Sequence, residues 1–502
     1  MSTQMSVSAY LDLSVLVVDL NNFARYPTIA IGYMKSILTQ QGCEVTVLSP
    51  LAHGIPGISR EPHETPALNI ARKVNYALHQ IPGRLADSVR RNTGRMRAHR
   101  ATRHFPTLGD IFKGTDPGNY DAVLVSAYLM YHPVCIEIGE QCKAAGVPLI
   151  IGGSYFAEEE VAKSWIDIPG LHALIGGEVE LELADILRAA VDGGDLASFD
   201  GVWLPDGSGR QRAPLKELDE VPFPDYSDFP WDRYPNKIIP VITGRGCGWG
   251  ACTFCSDITS TAGRTYRSRS PSNVLAELGA QSERHGTSLF AFTDLKLNSD
   301  LSVWNAILQD LPKHVIDPQW IASVHVGKDQ PNGLDLERLK KAKAAGAVRL
   351  TTGLESGSQR VLDAFAKGAD LEVTSRFLHD AKEAGISIRI TMIHGSPGET
   401  EEDVNASAEF LRSHGHLIDR VLMNRFQLML GPTIMRRWDE NADRFPSVIV
   451  TDRNPLMATA DHRNTNAHRV SYFRATQRML QQVHEINKKP LPDAALAFEG
   501  VM

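Results

Sequence analysis

Five times along the chain a helical stretch ends in glycine and a short, largely apolar run follows at once. LTQQG leads into CEVTVLS at Gly42, KAAG into VPLIIGG at Gly146, and ERHG into TSLFAFTD at Gly286. The pattern returns as KAAG into AVRLTTG at Gly346 and KEAG into ISIRITM at Gly385. Glycine just past a helix supplies the left-handed residue that ends it. An apolar run bounded in this way reads as a strand buried on both faces, which means a parallel strand. Helix and strand in alternation specify α/β architecture with parallel sheets.

Length and composition set the scale. At 502 residues the chain exceeds what one hydrophobic core organises, so more than one domain is expected. An apolar content of 43% is that of a folded globular protein and excludes a largely disordered chain. A net charge of −7 argues against a dedicated nucleic-acid binder. No apolar run approaches the roughly 18 residues of a membrane span, and the start lacks a basic region followed by a long apolar one. A cytoplasmic protein with no nucleic-acid or membrane partner is the expectation.

The alternation breaks between residues 200 and 236, where Pro, Gly and Asp are dense and no period is sustained. The stretch reads as a linker, with a small hairpin at Asp206-Gly207. It separates an α/β unit over residues 1–199 from a second over 237–430. The region 431–502 is expected to be mostly helical. Inside the first unit lies a helical insertion, about 51–118, whose core from Arg72 to Arg103 carries Arg72, Lys73, Arg84, Arg90, Arg91, Arg95, Arg97, Arg100 and Arg103 against Asp87 alone. It reads either as a solvated helical face or as a docking surface for an acidic partner or substrate.

Six cysteines in so long a chain do not make a disulfide scaffold. Cys43, Cys135 and Cys142 are scattered and read as ordinary buried thiols. Cys247, Cys252 and Cys255 share one glycine-rich loop directly after the strand KIIPVIT. Active sites of parallel α/β barrels gather at that end of the strands, and glycines let the backbone turn tightly around a metal centre. Zinc in structural sites takes four protein ligands, and no fourth stands close in sequence. An iron–sulfur cluster held by three thiolates leaves one iron open.

The loop resembles the cluster motif of the radical S-adenosylmethionine (SAM) superfamily, C-x3-C-x2-C with an aromatic residue before the last cysteine. Phe254 supplies the aromatic; the first gap is four residues rather than three. Three further segments resemble the superfamily in the same order: FTDLKLNSD from Phe292, TTGLESGSQRVLDAFAKGAD from Thr351, and ITMIHGSPGETEEDV from Ile390. The resemblance implies a [4Fe–4S] cluster on the three cysteines, with Phe254, Asp294, Glu355, Ser356 and Arg389 around bound SAM.

The first unit reads as a doubly wound sheet, whose ligands bind outside the carboxyl ends of the strands. Ser126, then Gly152, Gly153 and Ser154, then Gly176, Gly177 and Glu178 stand at those ends. On the residues alone, a nucleotide, another flat ligand or a partner surface are equal candidates. A sheet domain with such turns before a radical SAM barrel looks like the cobalamin-binding domain of class B radical SAM enzymes. The implied fold is a Rossmann-like cobalamin domain, a partial (β/α)6 TIM-like barrel and a C-terminal helical tail. Ser126, Gly152, Gly153, Ser154, Gly177 and Glu178 become the cobalamin candidates. No Asp-x-His-x-x-Gly motif is present, so a cobalt without a protein histidine is implied.

The expanded cysteine gap, Trp249 beside it, and SRSPSNVLAEL (Ser268 to Leu278) are similar to peptide-maturation radical SAM C-methyltransferases. The resemblance implies methyl transfer from SAM through methylcobalamin to a carbon of a peptide or small natural product, as in antibiotic biosynthesis. It also implies an electron donor such as flavodoxin or ferredoxin. A non-methylating rearrangement or ring contraction, and a non-catalytic metal-bearing scaffold or sensor, are the alternatives.

Overall fold

A computed structural model describes residues 12–20, 25–55, 64–80, 114–256, 266–328 and 332–501. The first sheet is built from β1 (Ser14–Asp19), β2 (Glu44–Leu48), β3 (Ala122–Ser126), β4 (Leu149–Gly152), β5 (Leu171–Ile175) and β6 (Val202–Trp203), in the order β2-β1-β3-β4-β5-β6. The first five are parallel and β6 runs antiparallel to β5. The strand order reverses between β1 and β3, the switch point where such sheets bind ligands. The stretch expected to be a linker thus begins with a sixth strand of this sheet. Its turn at Asp206-Gly207 closes where expected, with Leu204 N donating to Ser208 O at 2.8 Å.

The chain continues through β7 (Ile238–Val241) and a small ladder of β8 (Gly244–Arg245) with β9 (Arg267–Ser268). It then forms β10 (Leu289–Phe292), β11 (Gln319–Val324), β12 (Ala347–Glu355), β13 (Ser387–His394) and β14 (Arg420–Arg425). Strands β7 and β10 to β14 make one parallel sheet in sequential order, with helices between successive strands, as in a partial (β/α)6 barrel. Every residue of β12 is buried, as a central parallel strand requires.

All five glycines of the recurring pattern have positive φ. Gly346 shows why no side chain is accommodated: its φ is +97° and a Cβ there would lie 1.9 Å from the Pro318 carbonyl oxygen.

The region 431–502, expected to be mostly helical, contains strands as well as helices. A three-stranded antiparallel sheet forms from β15 (Leu428–Met429), β16 (Val448–Asn454) and β17 (Thr459–Asn464), before the helix Val470–Asn487. Leu456, Met457 and Ala458 at the hairpin tip pack on the core of the first sheet. The last residues close the amino-terminal end of the barrel. Leu491, Ala495, Phe498 and Val501 pack against Ile238, Ala291, Ile321 and Val348, and buried Arg349 donates to the carbonyl oxygens of Phe498 and Ala495.

The beginning of the basic insertion is a helix, Pro66–Gln80, lying along the helix Val470–Asn487. Arg72 pairs with Glu64, and Lys73 donates to Gln481 at 2.6 Å. These two cations therefore serve contacts within the chain. Arg84, Arg90, Arg91, Arg95, Arg97, Arg100 and Arg103 lie outside the described residues. No helix among the described residues is long and apolar enough to cross a membrane.

Candidate active site

The three clustered cysteines are half-buried on the loop that leaves β7, at the carboxyl end of the barrel sheet; Cys43, Cys135 and Cys142 are buried elsewhere. Three separate contacts fix the loop. The first is Asp294, four-fold engaged at the end of β10. Its carboxylate accepts from Thr243 N (3.0 Å), Thr243 Oγ1 (2.8 Å) and Gly244 N (2.9 Å), with a further contact from Thr243 N to the other oxygen at 3.1 Å. Burial nevertheless raises its pKa to about 6. Asp294, expected beside SAM, anchors the backbone that leads to Cys247.

The second contact comes from the first sheet. β8 and β9 place Arg245 opposite Arg267, a like-charge pair that needs neutralising. Glu178 accepts from Arg267 at 2.6 and 3.0 Å and from Leu215 N at 2.9 Å, while Arg245 reaches Glu180 at 2.7 Å and Glu178 at 3.3 Å. Burial would raise the Glu178 pKa, but the two guanidiniums hold it below the ordinary carboxylate value. Glu178, expected as a cobalamin contact, has a carboxylate that joins the first sheet to the cysteine loop. Gly177 is backed by Arg212, whose Cβ lies 3.1 Å from where a Cβ of residue 177 would stand.

The third contact is the segment after the helix Gln359–Ala364. Phe365 O accepts from Thr253 N (2.9 Å) and Ala366 O from Trp249 Nε1 (2.9 Å). The Phe254 ring packs on Phe365, 4.6 Å between centroids. Phe254 thus sits in an apolar contact that seats the loop. A Cβ at Gly368 would lie 2.1 Å from the Trp249 ring, so the indole rests directly on glycine backbone. Trp249 also stacks on His325 at 5.7 Å and 23°.

Beneath these contacts lies a charged group. Glu355 ends β12 with φ +60°, a strained position for a side-chain-bearing residue. Its Oε1 accepts from Lys367 Nζ at 2.9 Å, both side chains being buried. Burial opposes the charge on Lys367, but Glu355 and Cys252 more than offset it, and its pKa is raised. Burial lowers that of Lys296, with Lys367 adding to the effect against the pull of Glu355, Cys247 and Cys255. The three thiols, two lysines and Glu355 therefore form one electrostatic neighbourhood. His325 is held neutral, its pKa lowered to about 3 by burial and then by the two lysines. Its Nε2 is buried without a partner among the described residues.

Ser356 lies within 3.3 Å of the Ser407 hydroxyl and accepts from Ser358 N at 3.1 Å, so it ties β12 to the helix Glu401–His414. Arg389 is buried on β13, in register with Thr351 and Arg420. Lys296, Lys367 and His325 had not been singled out from the sequence. Both lysines stand inside the segments that carry the family likeness, but their burial is a tertiary fact.

The donor set can be tested against the implied groups. Among the described residues no three of His, Cys, Asp and Glu converge on a single-metal site. Thiolates of a four-iron cluster bind separate irons, and a trio of half-buried thiols flanked by two buried lysines suits such a net-negative group. At the switch point of the first sheet, Ser126 is half-buried in register with Asp19 and Gly152. A Cβ at Gly152 would meet nothing nearer than 4.0 Å, whereas one at Gly153 would come within 2.8 Å of Ala127 O. Ser154 is exposed, as are the large apolar side chains of Tyr128 and Met130. An edge with an open glycine, hydroxyls and bare apolar surface can seat a broad, mostly apolar ligand. This edge reaches the cysteine loop directly, where Tyr155 OH donates to Ser256 Oγ at 3.2 Å.

Residues 241–411 match the family model of the radical SAM superfamily. An uncharacterized methyltransferase of Pyrococcus horikoshii is 26% identical over 319 residues, 61% of this chain and 67% of that protein. The anaerobic magnesium-protoporphyrin IX monomethyl ester cyclase of Rubrivivax gelatinosus is 24% identical, covering 52% of this chain and 48% of its own length. The chain thus spans about two thirds of the first relative and about half of the second. Among solved structures, the radical SAM methyltransferase TsrM of Kitasatospora setae, with cobalamin and a [4Fe–4S] cluster bound, aligns with TM-score 0.61 at 16% identity, covering 89% of this chain and 85% of that one. The cobalamin-dependent radical SAM enzyme OxsB, with aqua-cobalamin and SAM bound, aligns with TM-score 0.65 at 14% identity, covering 90% and 64%. These structures share the fold with this chain over both sheets.

Proposed function

Starting from a chain that carries a radical SAM domain at residues 241–411, we propose that it is a cobalamin-dependent radical SAM methyltransferase. It would move a methyl group from SAM, by way of cobalamin, to a carbon of a biosynthetic substrate, a peptide or small natural product. The observation that carries this reading is the meeting of two carboxyl edges. Tyr155 of the first sheet touches Ser256 beside Cys255, and Glu178 binds Arg245 and Arg267 on either side of the cysteines. A ligand on the first edge would therefore face one held by the loop.

When bound, the cluster with SAM supplies radical chemistry at an unactivated carbon, and cobalamin supplies the methyl carrier. Cys247, Cys252 and Cys255 would hold the cluster. Asp294 and the Phe365–Gly368 segment keep their loop in place. Lys296, Glu355 and Arg389 offer the charges that an amino-acid moiety needs. Ser126, Gly152, Gly153 and Ser154 would line the cobalamin face. Reduction would come from a carrier such as flavodoxin or ferredoxin.

The test is anaerobic purification with cobalamin and reconstituted iron, followed by turnover with methyl-deuterated SAM. The reading requires cluster and cobalamin absorbance together, and the label in the product. Cluster absorbance should vanish in Cys255→Ala. A wild-type protein that shows no cluster and no reductive cleavage of SAM would sink it. Similarity to the ester cyclase supports a second reading, a non-methylating rearrangement or ring closure. Turnover that leaves the product unlabelled would favour that reading.

A further inference from the structure

We propose that Lys367 is a positioning residue for the iron–sulfur cluster, a buried fixed cation that balances the cluster's negative charge and raises its reduction potential. The inference rests on the radical SAM reading and goes beyond the assignment of ligands. Its geometric basis is the seating of the cysteine loop on Lys367's own backbone segment. Residue 365 accepts a hydrogen bond from Thr253, residue 366 accepts one from Trp249, and residue 368 lies under the Trp249 ring. Cys252 lies between Trp249 and Thr253, so Lys367 occupies the middle of the segment that grips the loop around that cysteine. Its ammonium turns inward, 5% exposed, to Glu355 at 2.9 Å.

Among the described residues the carboxylate paired with this cation is Glu355, and it is not dedicated to Lys367 alone: its Oε2 also lies 3.5 Å from Thr391 Oγ1. Among the described residues, Cys252, Cys255, Lys296 and neutral His325 also face Lys367. A [4Fe–4S] core on three thiolates is net negative and gains a further negative charge on reduction. A fixed positive charge in a low-dielectric site favours the more negative state, and potentials of such clusters respond to local charge and hydrogen bonding. The ion pair also fixes the segment's direction, since Glu355 belongs to the fully buried strand β12.

The experiment is an electron paramagnetic resonance redox titration of the reconstituted holoenzyme without SAM, comparing wild type with Lys367→Met, Lys367→Arg and Glu355→Gln. Lys367→Met should lower the reduced-to-oxidised ratio at a fixed poise by roughly tenfold, which for a one-electron couple is 59 mV. Lys367→Arg should restore most of it. Glu355→Gln, which leaves the cation unopposed, should move the midpoint the other way. If Lys367→Met does not hold a cluster, the Arg and Gln variants decide: a loaded Lys367→Arg with a Glu355→Gln shift upward supports the proposal. A Glu355→Gln midpoint equal to wild type overturns it, as does a loaded Lys367→Met with an unmoved midpoint. A wild-type chain that binds no iron refutes the radical SAM reading instead.

Discussion

Asp294→Asn separates the anchoring of the cysteine loop from the stability of the barrel. The buried carboxylate titrates near 6 rather than 3.8. Between those values the folded chain holds a proton that the unfolded chain has released. Stability from this group is therefore present at low pH, falls as pH rises through the window and is flat above it. A shift of about 2 units corresponds to about 3 kcal/mol against the ionised form. The amide carries no charge and escapes that penalty. Its NH2, however, faces the Thr243 N–H that the second oxygen meets at 3.1 Å, a lost acceptor costing about 1 kcal/mol. The variant should be about 2 kcal/mol more stable than wild type at pH 7 and about 0.5 kcal/mol less stable near pH 4, where the unfolded carboxyl is already half ionised. This swing of about 2.5 kcal/mol does not depend on the amide's own cost. Urea unfolding of both apo-proteins at the two pH values measures it, since other titrations cancel in the difference. The same variant should retain less iron after desalting, because Thr243 and Gly244 are held less firmly. A stability difference unmoved by pH, together with wild-type iron content, would refute the assignment of Asp294 as the loop's anchor.

Three further outcomes follow from the geometry. Gly346→Ala drives a methyl group to 1.9 Å from Pro318 O at φ +97°, so thermal denaturation should show a loss of about 3 kcal/mol or more. Phe498→Ala empties the buried plug at the barrel's amino-terminal end and should cost about 3–5 kcal/mol by the same measurement, with cluster absorbance retained. Glu178→Ala leaves Arg245 and Arg267 facing each other, and a double-mutant cycle with Arg267→Ala should return a coupling of about 1–3 kcal/mol; a coupling near zero would show that the carboxylate does not join the sheets.

The parallel sheets were legible because their signal is local. Each helix-ending glycine and the largely apolar run after it sit within ten residues, and all five glycines took positive φ. The hairpin of β16 and β17 was hidden for the opposite reason. Val448–Asn454 is mostly exposed, so it lacks the continuous apolar run that marks the other strands. The cysteine trio was visible from spacing, and the strand ends from their glycines and hydroxyls. What the individual side chains do there was not. The Asp294 carboxylate meets backbone fifty residues earlier, and Glu178 meets arginines about seventy and ninety residues later. Lys367 reads in sequence as one more helix-end lysine, and only the packing of β12 shows that its charge is buried.

The three contacts on the cysteine loop also explain the strain at Glu355. A residue at φ +60° costs of order 1–3 kcal/mol unless it is glycine, and glycine would relieve that cost. A side chain kept there must repay it through its contacts, and Lys367 is the charged one, with the Thr391 hydroxyl beside it. With Glu355 fixed, Lys367 is fixed, and its backbone neighbours then hold Trp249 and Thr253. Asp294 and the Glu178 ion pairs hold the same loop at its start, on the side of Gly244 and Arg245. A loop rich in glycine would otherwise sample many conformations. Its ends are tied to two barrel strands and to the first sheet, so the positions of the thiols are set by the fold before any iron arrives. Such preorganisation is what a site for radical chemistry requires, because a loosely held ligand set would expose the reacting groups to water and oxygen.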